Sequence, residues 1–322
     1  LHLGKDPLPD KNELPRENGK PAAGKVTVRE FMSAPTLGLD FEVLQDKGSD
    51  NEIGSARIQK LGLGLAGFAG FIHPNRLQVF GTTEMNYLQA LDAAARSAAI
   101  QNLRKSKICC IVVAKGLDVP DELIKLAREE GFPVLLSKAT STISAEKIMN
   151  YLELRLAPRM TVHGVLLEMF GLGVLIMGPS GMGKSECALE LLLKGHCLIS
   201  DDSVEITRLG IDRLSGSGGD VLKHHMELRG LGIINIRELF GISATGTSQS
   251  IDLAVRLERW KSDAEYDRLG LDQSSIEFLG VSIPVIDMPV APGRNIATLV
   301  EVAARIHLLR QRGYRPFEEP EE

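Results

Sequence analysis

From Val26 onward, short unbroken apolar runs alternate with stretches whose apolar residues recur three and four positions apart, the signatures of buried strands and of amphipathic helices. Ile108–Ala114 reads as a buried strand and Phe132–Leu136 as a second. Pro120–Glu130 between them suits a helix that starts at proline, where a missing N–H leaves no hydrogen bond unmade. Ser144–Leu156 is amphipathic and reads as a further helix. Residues 26–152 are therefore expected to form an N-terminal α/β domain. Ala157, Pro158 and Arg159 interrupt the helical pattern, and one strand run is expected over Met160–Met169. This puts a linker at 153–160 and a second domain at 161–317. Residues 1–25 are polar and unpatterned and read as a flexible leader or an expression remnant, and the acidic residues 318–322 as a solvated tail.

Composition narrows the class. The chain has 322 residues, 43% hydrophobic and 25% charged, as in ordinary globular proteins, with enough length for two cores. A formal net charge of −5 offers no basic footprint, which argues against nucleic acid as a general partner. No apolar run approaches the roughly 20 residues that span a bilayer, and residues 1–25 lack the apolar centre of a signal peptide. A cytoplasmic protein without a membrane partner is expected. Cys109, Cys110, Cys187 and Cys197 lack the CxxC spacing of zinc or redox motifs and are expected to be reduced core thiols.

The chemistry is concentrated after residue 160. Gly178-Pro179-Ser180-Gly181-Met182-Gly183-Lys184-Ser185 fits GxxxxGK[ST]. Its context fits too: the apolar run Leu172–Met177 leads into it as a strand, and Ser185–Lys194 follows as a helix that Gly195 is placed to end. Three glycines let successive N–H groups turn inward around phosphates at the positive end of a helix. Lys184 adds a mobile cation for the β- and γ-phosphates, and Ser185 a hydroxyl for Mg²⁺. The chain reads as an ATP-using phosphotransferase.

Cys197–Ser200 is a short strand ending in Asp201-Asp202, where a carboxylate on the Mg²⁺ side of a phosphate loop belongs. If the strand continues, the two acids point to opposite sides, so one can serve the metal or its water and the other a substrate proton; a solvated turn is the plainer alternative. In Met226–Asn235, Glu227 and Arg229 alternate with apolar neighbours, so a strand would put both on one face. A cross-strand salt bridge and a functional pair both fit.

Taken in order, His163-Gly164, the phosphate loop, Asp201-Asp202, the stretch Glu227–Asn235 and Tyr266-Asp267-Arg268-Leu269-Gly270 resemble bacterial HPr kinase/phosphorylase. The resemblance covers essentially all of 160–315. His73-Pro74-Asn75 and Gly81-Thr82-Thr83-Glu84 are similar to that family's N-terminal domain. It implies an N-terminal α/β domain joined to a kinase domain with a phosphoenolpyruvate carboxykinase-like P-loop. It also implies a cytoplasmic homohexamer that phosphorylates a serine of the phosphocarrier HPr with ATP and Mg²⁺ and reverses this by phosphorolysis, regulating carbohydrate uptake. On the matching positions, Gly178 to Ser185 would hold ATP, and Ser185 and Glu227 would serve Mg²⁺. Asp202 would be the base of the forward reaction and the acid of the reverse, with His163, Lys184 and Arg268 completing the catalytic set and Asp201, Arg229 and Arg294 supporting it. By itself, His163 reads as a structural histidine after a strand.

Two positions depart from the family pattern. Ala291, in Pro289–Arg294, stands where a basic residue is common in a loop associated with phosphorolysis, and Gly246 where many members carry arginine. Kinase activity is accordingly expected to survive more surely than phosphorylase activity. The alternatives are a kinase-only homologue with weak phosphorylase activity, a small-molecule kinase or carboxykinase-like protein, and a non-catalytic nucleotide-sensing module. A carboxykinase needs a longer chain and a metal-binding His and Lys set, and a sensor would not need Asp202 and Arg268. Segments 221–235 and 289–296 are the expected docking face for a protein substrate.

Overall fold

The structure, a computed structural model, describes residues 22–68, 70, 72–104, 106–219, 224–260, 274–291 and 293–313. The leader and tail therefore lie outside the described residues, apart from the end of the leader, as do Tyr266–Gly270 and most of 221–224. The chain divides into two compact units, 23–157 on one side and 1–22 with 158–322 on the other.

In the first unit a four-stranded sheet runs in the order Phe41–Gln45, Val134–Ser137, Cys110–Val113, Leu77–Phe80; the last three strands are parallel and the first antiparallel. Alternation along the strands feeds two cores. Ile111, Val113 and Phe80 pack with Met85, Leu88, Ile100, Leu123 and Leu126, while Cys110, Val112, Leu77 and Val79 pack with Phe31, Ile148 and Leu152. The expected strands are present but shorter, because the ends of the apolar runs lie in flanking loops. Pro120 is the N-cap of helix Asp121–Glu130 rather than its first residue. The last helix is longer than its apolar pattern, Ser141–Leu156, because the Thr140 side chain accepts the Ile143 N–H and starts it one turn earlier.

The second unit holds a six-stranded sheet in the order Ser274–Phe278, Val281–Val290, Leu253–Arg259, Leu172–Met177, Val165–Met169, Cys197–Ser200. Of its inner strands, Val281–Val290, Leu253–Arg259 and Leu172–Met177 are parallel and Val165–Met169 is antiparallel. Helices Lys184–Leu193 and Ile296–Gln311 cover one face through Val174, Ile176, Leu191, Val255 and Val300. The other face packs on a second sheet that carries, in order, Pro158–His163, Ser203–Leu209, Arg213–Gly218 and Ser248–Ser250.

The single strand expected over Met160–Met169 is two strands, Pro158–His163 and Val165–Met169, which belong to different sheets. Gly164 is the break. A Cβ there would stand 2.7 Å from the Ile176 carbonyl oxygen, so only glycine lets the chain pass this close while it changes sheets.

Candidate active site

The strand Leu172–Met177 is buried along its whole length and delivers the chain to Gly178 at the carboxyl end of the parallel sheet. The loop turns as its glycines require: Gly178, Gly181 and Gly183 have φ of 145°, 80° and 84°, a region that L side chains avoid. At Gly178 the constraint is also one of space, since a Cβ would lie 2.7 Å from the Leu257 carbonyl oxygen of the neighbouring strand. Gly183 is the N-cap of the helix Lys184–Leu193, whose free N–H groups face the loop.

Lys184 is buried, and its ammonium donates to the carbonyls of Gly178 at 3.0 Å and Pro179 at 3.2 Å. Burial lowers its affinity for the proton, and Asp202, Asp201 and Glu186 offset this. The cation is thus held over the loop it would serve.

Asp201 and Asp202 part company because the strand stops at Ser200. Asp202 takes the left-handed conformation at φ 67°, its carbonyl accepts the Gly164 N–H at 3.1 Å, and the next strand begins at Ser203. The expected alternation along a continuing strand is replaced by a tight turn, which separates the two acids by environment. The Asp201 carboxylate accepts the Ser185 hydroxyl at 2.9 and 3.2 Å and the Glu227 N–H at 3.3 Å. Burial pushes its pKa up, while the Ser185 and Glu227 hydrogen bonds pull it down. Asp202 is exposed, and its Oδ1 lies 3.1 Å from His163 Nδ1. One acid faces the loop helix, and the other faces solvent next to an imidazole.

Glu227 lies in a small hairpin, His225–Leu228 with Gly232–Asn235, paired opposite Ile233. Arg229 does not share its strand face, contrary to the alternation reading. The strand ends at Leu228, and the turn through Gly230, at φ 87°, redirects the arginine. Its guanidinium instead approaches the phosphate loop, 3.3 Å from where a Gly181 Cβ would stand. Loop, Ser185, Asp201, Glu227 and Arg229 are thus adjacent, and so are Asp202 and His163. Arg268 lies outside the described residues.

Further contacts are made around these elements. Arg294 stacks its guanidinium over the Trp260 ring, 4.7 Å from the centroid. Arg256 and Asp287, register partners on parallel strands, form a forked ion pair at 2.6 and 3.3 Å. Neither Trp260 nor this ion pair is marked by any motif; the only sequence signal is a polar or aromatic residue at the exit of an apolar strand. Ala291 accepts the Arg294 N–H at 3.2 Å. Gly246 donates to the Leu198 carbonyl at 2.8 Å, and a Cβ there would meet Ile199 Cδ1 at 2.5 Å, so a side chain at this position requires Ile199 to move.

Comparison with known proteins places both parts of the chain in one family. Residues 154–322 match the model of the HPr Serine kinase C-terminal domain, and residues 26–152 that of the HPr Serine kinase N terminus. The HPr kinase/phosphorylase of Geobacter sulfurreducens is 42% identical over 295 residues, 91% of this chain and 92% of that one. That of Brevibacillus brevis is 42% identical over 269 residues, 84% and 86% of the two chains. A solved structure described as the Hpr(Ser) kinase/phosphatase from Coxiella burnetii aligns at a TM-score of 0.45 with 32% identity, over 48% of this chain and 94% of that one. Both parts of the chain are matched, and the two-domain α/β architecture with its phosphate loop is accounted for by one lineage: the chain belongs to the HPr kinase/phosphorylase family.

Proposed function

We propose that this chain transfers the γ-phosphoryl group of ATP to a serine of the phosphocarrier HPr, and removes it by letting inorganic phosphate attack the seryl phosphate. As a member of this family it is an ATP-using protein-serine kinase with phosphorylase activity, a regulator in the phosphotransferase system. The observation that carries the reading is the split of the two acids: Asp201 is committed to Ser185 at the head of the loop helix, and Asp202 is exposed beside His163.

The forward step needs in-line positioning and charge neutralisation more than covalent chemistry. The loop N–H groups and Lys184 hold the phosphates, Asp202 takes the serine hydroxyl proton as oxygen attacks phosphorus, and ADP leaves. His163 holds the Asp202 carboxylate toward the acceptor. In reverse, Asp202 returns the proton to the departing serine oxygen while phosphate becomes pyrophosphate. Arg268 belongs to the same catalytic set, and Arg229 and Arg294 support it at the loop.

The residues fit Mg²⁺. A hydroxyl and a carboxylate 2.9 Å apart at the loop are hard oxygen donors, and the Asp201 bond to the Glu227 backbone brings a third oxygen-bearing residue to the place. Ser185 and Glu227 would hold Mg²⁺, with Asp201 orienting the serine, and the ion would supply charge neutralisation for the phosphates of ATP.

HPr docks on the hairpin and the segment after it, which leave Leu231, Ile233, Leu239 and Ile242 exposed beside Glu227. The working assembly is a cytoplasmic homohexamer, with 26–152 and 161–317 as its two domains. None of the described helices is long and apolar enough to cross a membrane. The test is to incubate the chain with ATP, Mg²⁺ and HPr, locate phosphate by mass spectrometry, and then add excess inorganic phosphate. Seryl phosphate should form and then disappear with release of pyrophosphate. An unmodified HPr sinks the reading, and formation without removal restricts it to the forward reaction.

A further inference from the structure

Resting on the phosphate-loop reading above, we infer that Trp260, backed by Arg294, is the platform on which the base of the nucleotide stacks. Three observations place the pair on the flank of the loop. First, Arg256 is the register partner of Met177, so Leu257 stands beside Gly178, and the two are in near contact. The strand then continues past the point where its neighbour turns into the loop, and the Trp260 N–H still donates to Val290 at 3.0 Å. At the rise of an extended chain, Trp260 is about 10 Å beyond Leu257 along that strand.

Second, the segment that carries Arg294 is tied to the other end of the loop. Ile296 Cδ1 lies 3.7 Å from where a Gly183 Cβ would stand, and the Asn295 side chain donates to Glu190 of the loop helix at 2.9 Å. The Trp260–Arg294 stack therefore joins the strand leaving Gly178 to the helix start beside Gly183. It stands outside the carboxyl ends of the parallel strands, where ligands of open α/β sheets bind.

Third, the ring is a large apolar surface, 42% exposed. A guanidinium 4.7 Å from its centroid packs over the ring and favours one orientation of it. Phosphates held by the loop leave the nucleoside to extend along this flank. Stacking recognises aromatic area rather than a hydrogen-bond pattern, which suits a donor subsite that must grip ATP and release ADP.

The experiment separates base from phosphates. Binding of ATP and of tripolyphosphate, each with Mg²⁺, is measured by calorimetry on the full chain and on Trp260→Ala and Trp260→Phe. Trp260→Ala is expected to weaken ATP roughly tenfold, the strength of one stacking contact, and to leave tripolyphosphate unchanged, while Trp260→Phe keeps most of the ATP affinity. Because the chain has a single tryptophan, its emission should also change with ATP and not with tripolyphosphate. Unchanged ATP affinity in Trp260→Ala overturns the inference and leaves the phosphate loop standing, and so does an equal loss of tripolyphosphate. A native chain that binds neither ligand removes the phosphate-loop reading and this one with it.

Discussion

At the scale of single residues, the site depends on where backbone and side chain have no freedom. Gly178 combines a φ of 145° with a Cβ position 2.7 Å from a carbonyl oxygen, so Gly178→Ala must displace either the loop or the strand Leu253–Arg259. The variant should lose about 1–3 kcal/mol of stability and most ATP affinity, read by denaturant titration and calorimetry. Asp202 is different. It is exposed and its close partner His163 is only partly buried, so Asp202→Asn should leave stability within about 0.5 kcal/mol while lowering phosphate transfer to HPr by about a hundredfold or more. Unchanged ATP binding with lost transfer is the expected pattern, and transfer at the native rate would remove Asp202 from the base role. On the hairpin, Ile233→Asp should abolish HPr phosphorylation and spare ATP binding, because the side chain is exposed and points away from the core. These positions differ in how visible they are in the sequence. Gly178, Lys184 and Ser185 announce themselves through spacing, whereas the division of labour between Asp201 and Asp202 comes from one left-handed residue that no pattern marks.

Among the elements, the loop helix Lys184–Leu193 is held at both ends. Its C-terminal Lys194 bonds Glu301 at 2.8 Å and Thr298 at 3.2 Å on the last helix, and just beyond it His196 is buried, with Phe170 packed edge-on at 4.9 Å. His196 Nε2 is 3.9 Å from Glu301 and has no hydrogen-bond partner among the described residues. Burial pulls the imidazole below its ordinary pKa; Glu301 and Glu168 offset this, and Arg305 and Lys194 add to it. A lowered folded pKa means that the unfolded chain binds the proton more tightly. The stability this provides is present above the ordinary imidazole value of about 6.5 and is lost as pH falls toward the folded value. Thermal melts should show the native chain losing stability on acidification below about pH 6.5 more steeply than His196→Leu. Equal slopes would mean that His196 does not titrate differently on folding. The hairpin His225–Leu228 with Gly232–Asn235 is where the element reading failed. Glu227 and Arg229 alternate in sequence, but the strand closes at Leu228, so the turn sends the arginine to Gly181.

On the scale of the whole molecule, each unit carries its own pair of cores, one on each face of its sheet. Leu88 is fully buried in the first unit, and Leu88→Ala should cost that unit about 2–5 kcal/mol. Differential scanning calorimetry should then show one transition moved down and another, the one that ATP raises, left in place. Movement of both transitions together would mean that the units unfold as one. The thiols follow the same logic. Burial raises Cys109 and Cys187 to about 12 and Cys110 well above the ordinary value, so the native chain should resist alkylation at these three.

Much of this protein is local in origin. The strand, glycine loop and helix from Leu172 to Leu193 follow from a contiguous pattern, because the apolar period of each piece matches its geometry and the glycines mark the turn between them. The same holds for the alternating elements of the first unit. What required the folded chain were the relations between distant segments. Asp201 reaches Ser185 across sixteen positions, His163 reaches Asp202 because its strand pairs with the one that starts at Ser203, and Arg294 reaches Trp260 only because two parallel strands and a helix start end at one rim. Gly164 splits one apolar run between two sheets for a reason visible only in Ile176, whose carbonyl leaves no room for a side chain. Such contacts depend on strand order and on steric exclusion by residues far away in sequence, and neither is encoded in the spacing of the residues that meet.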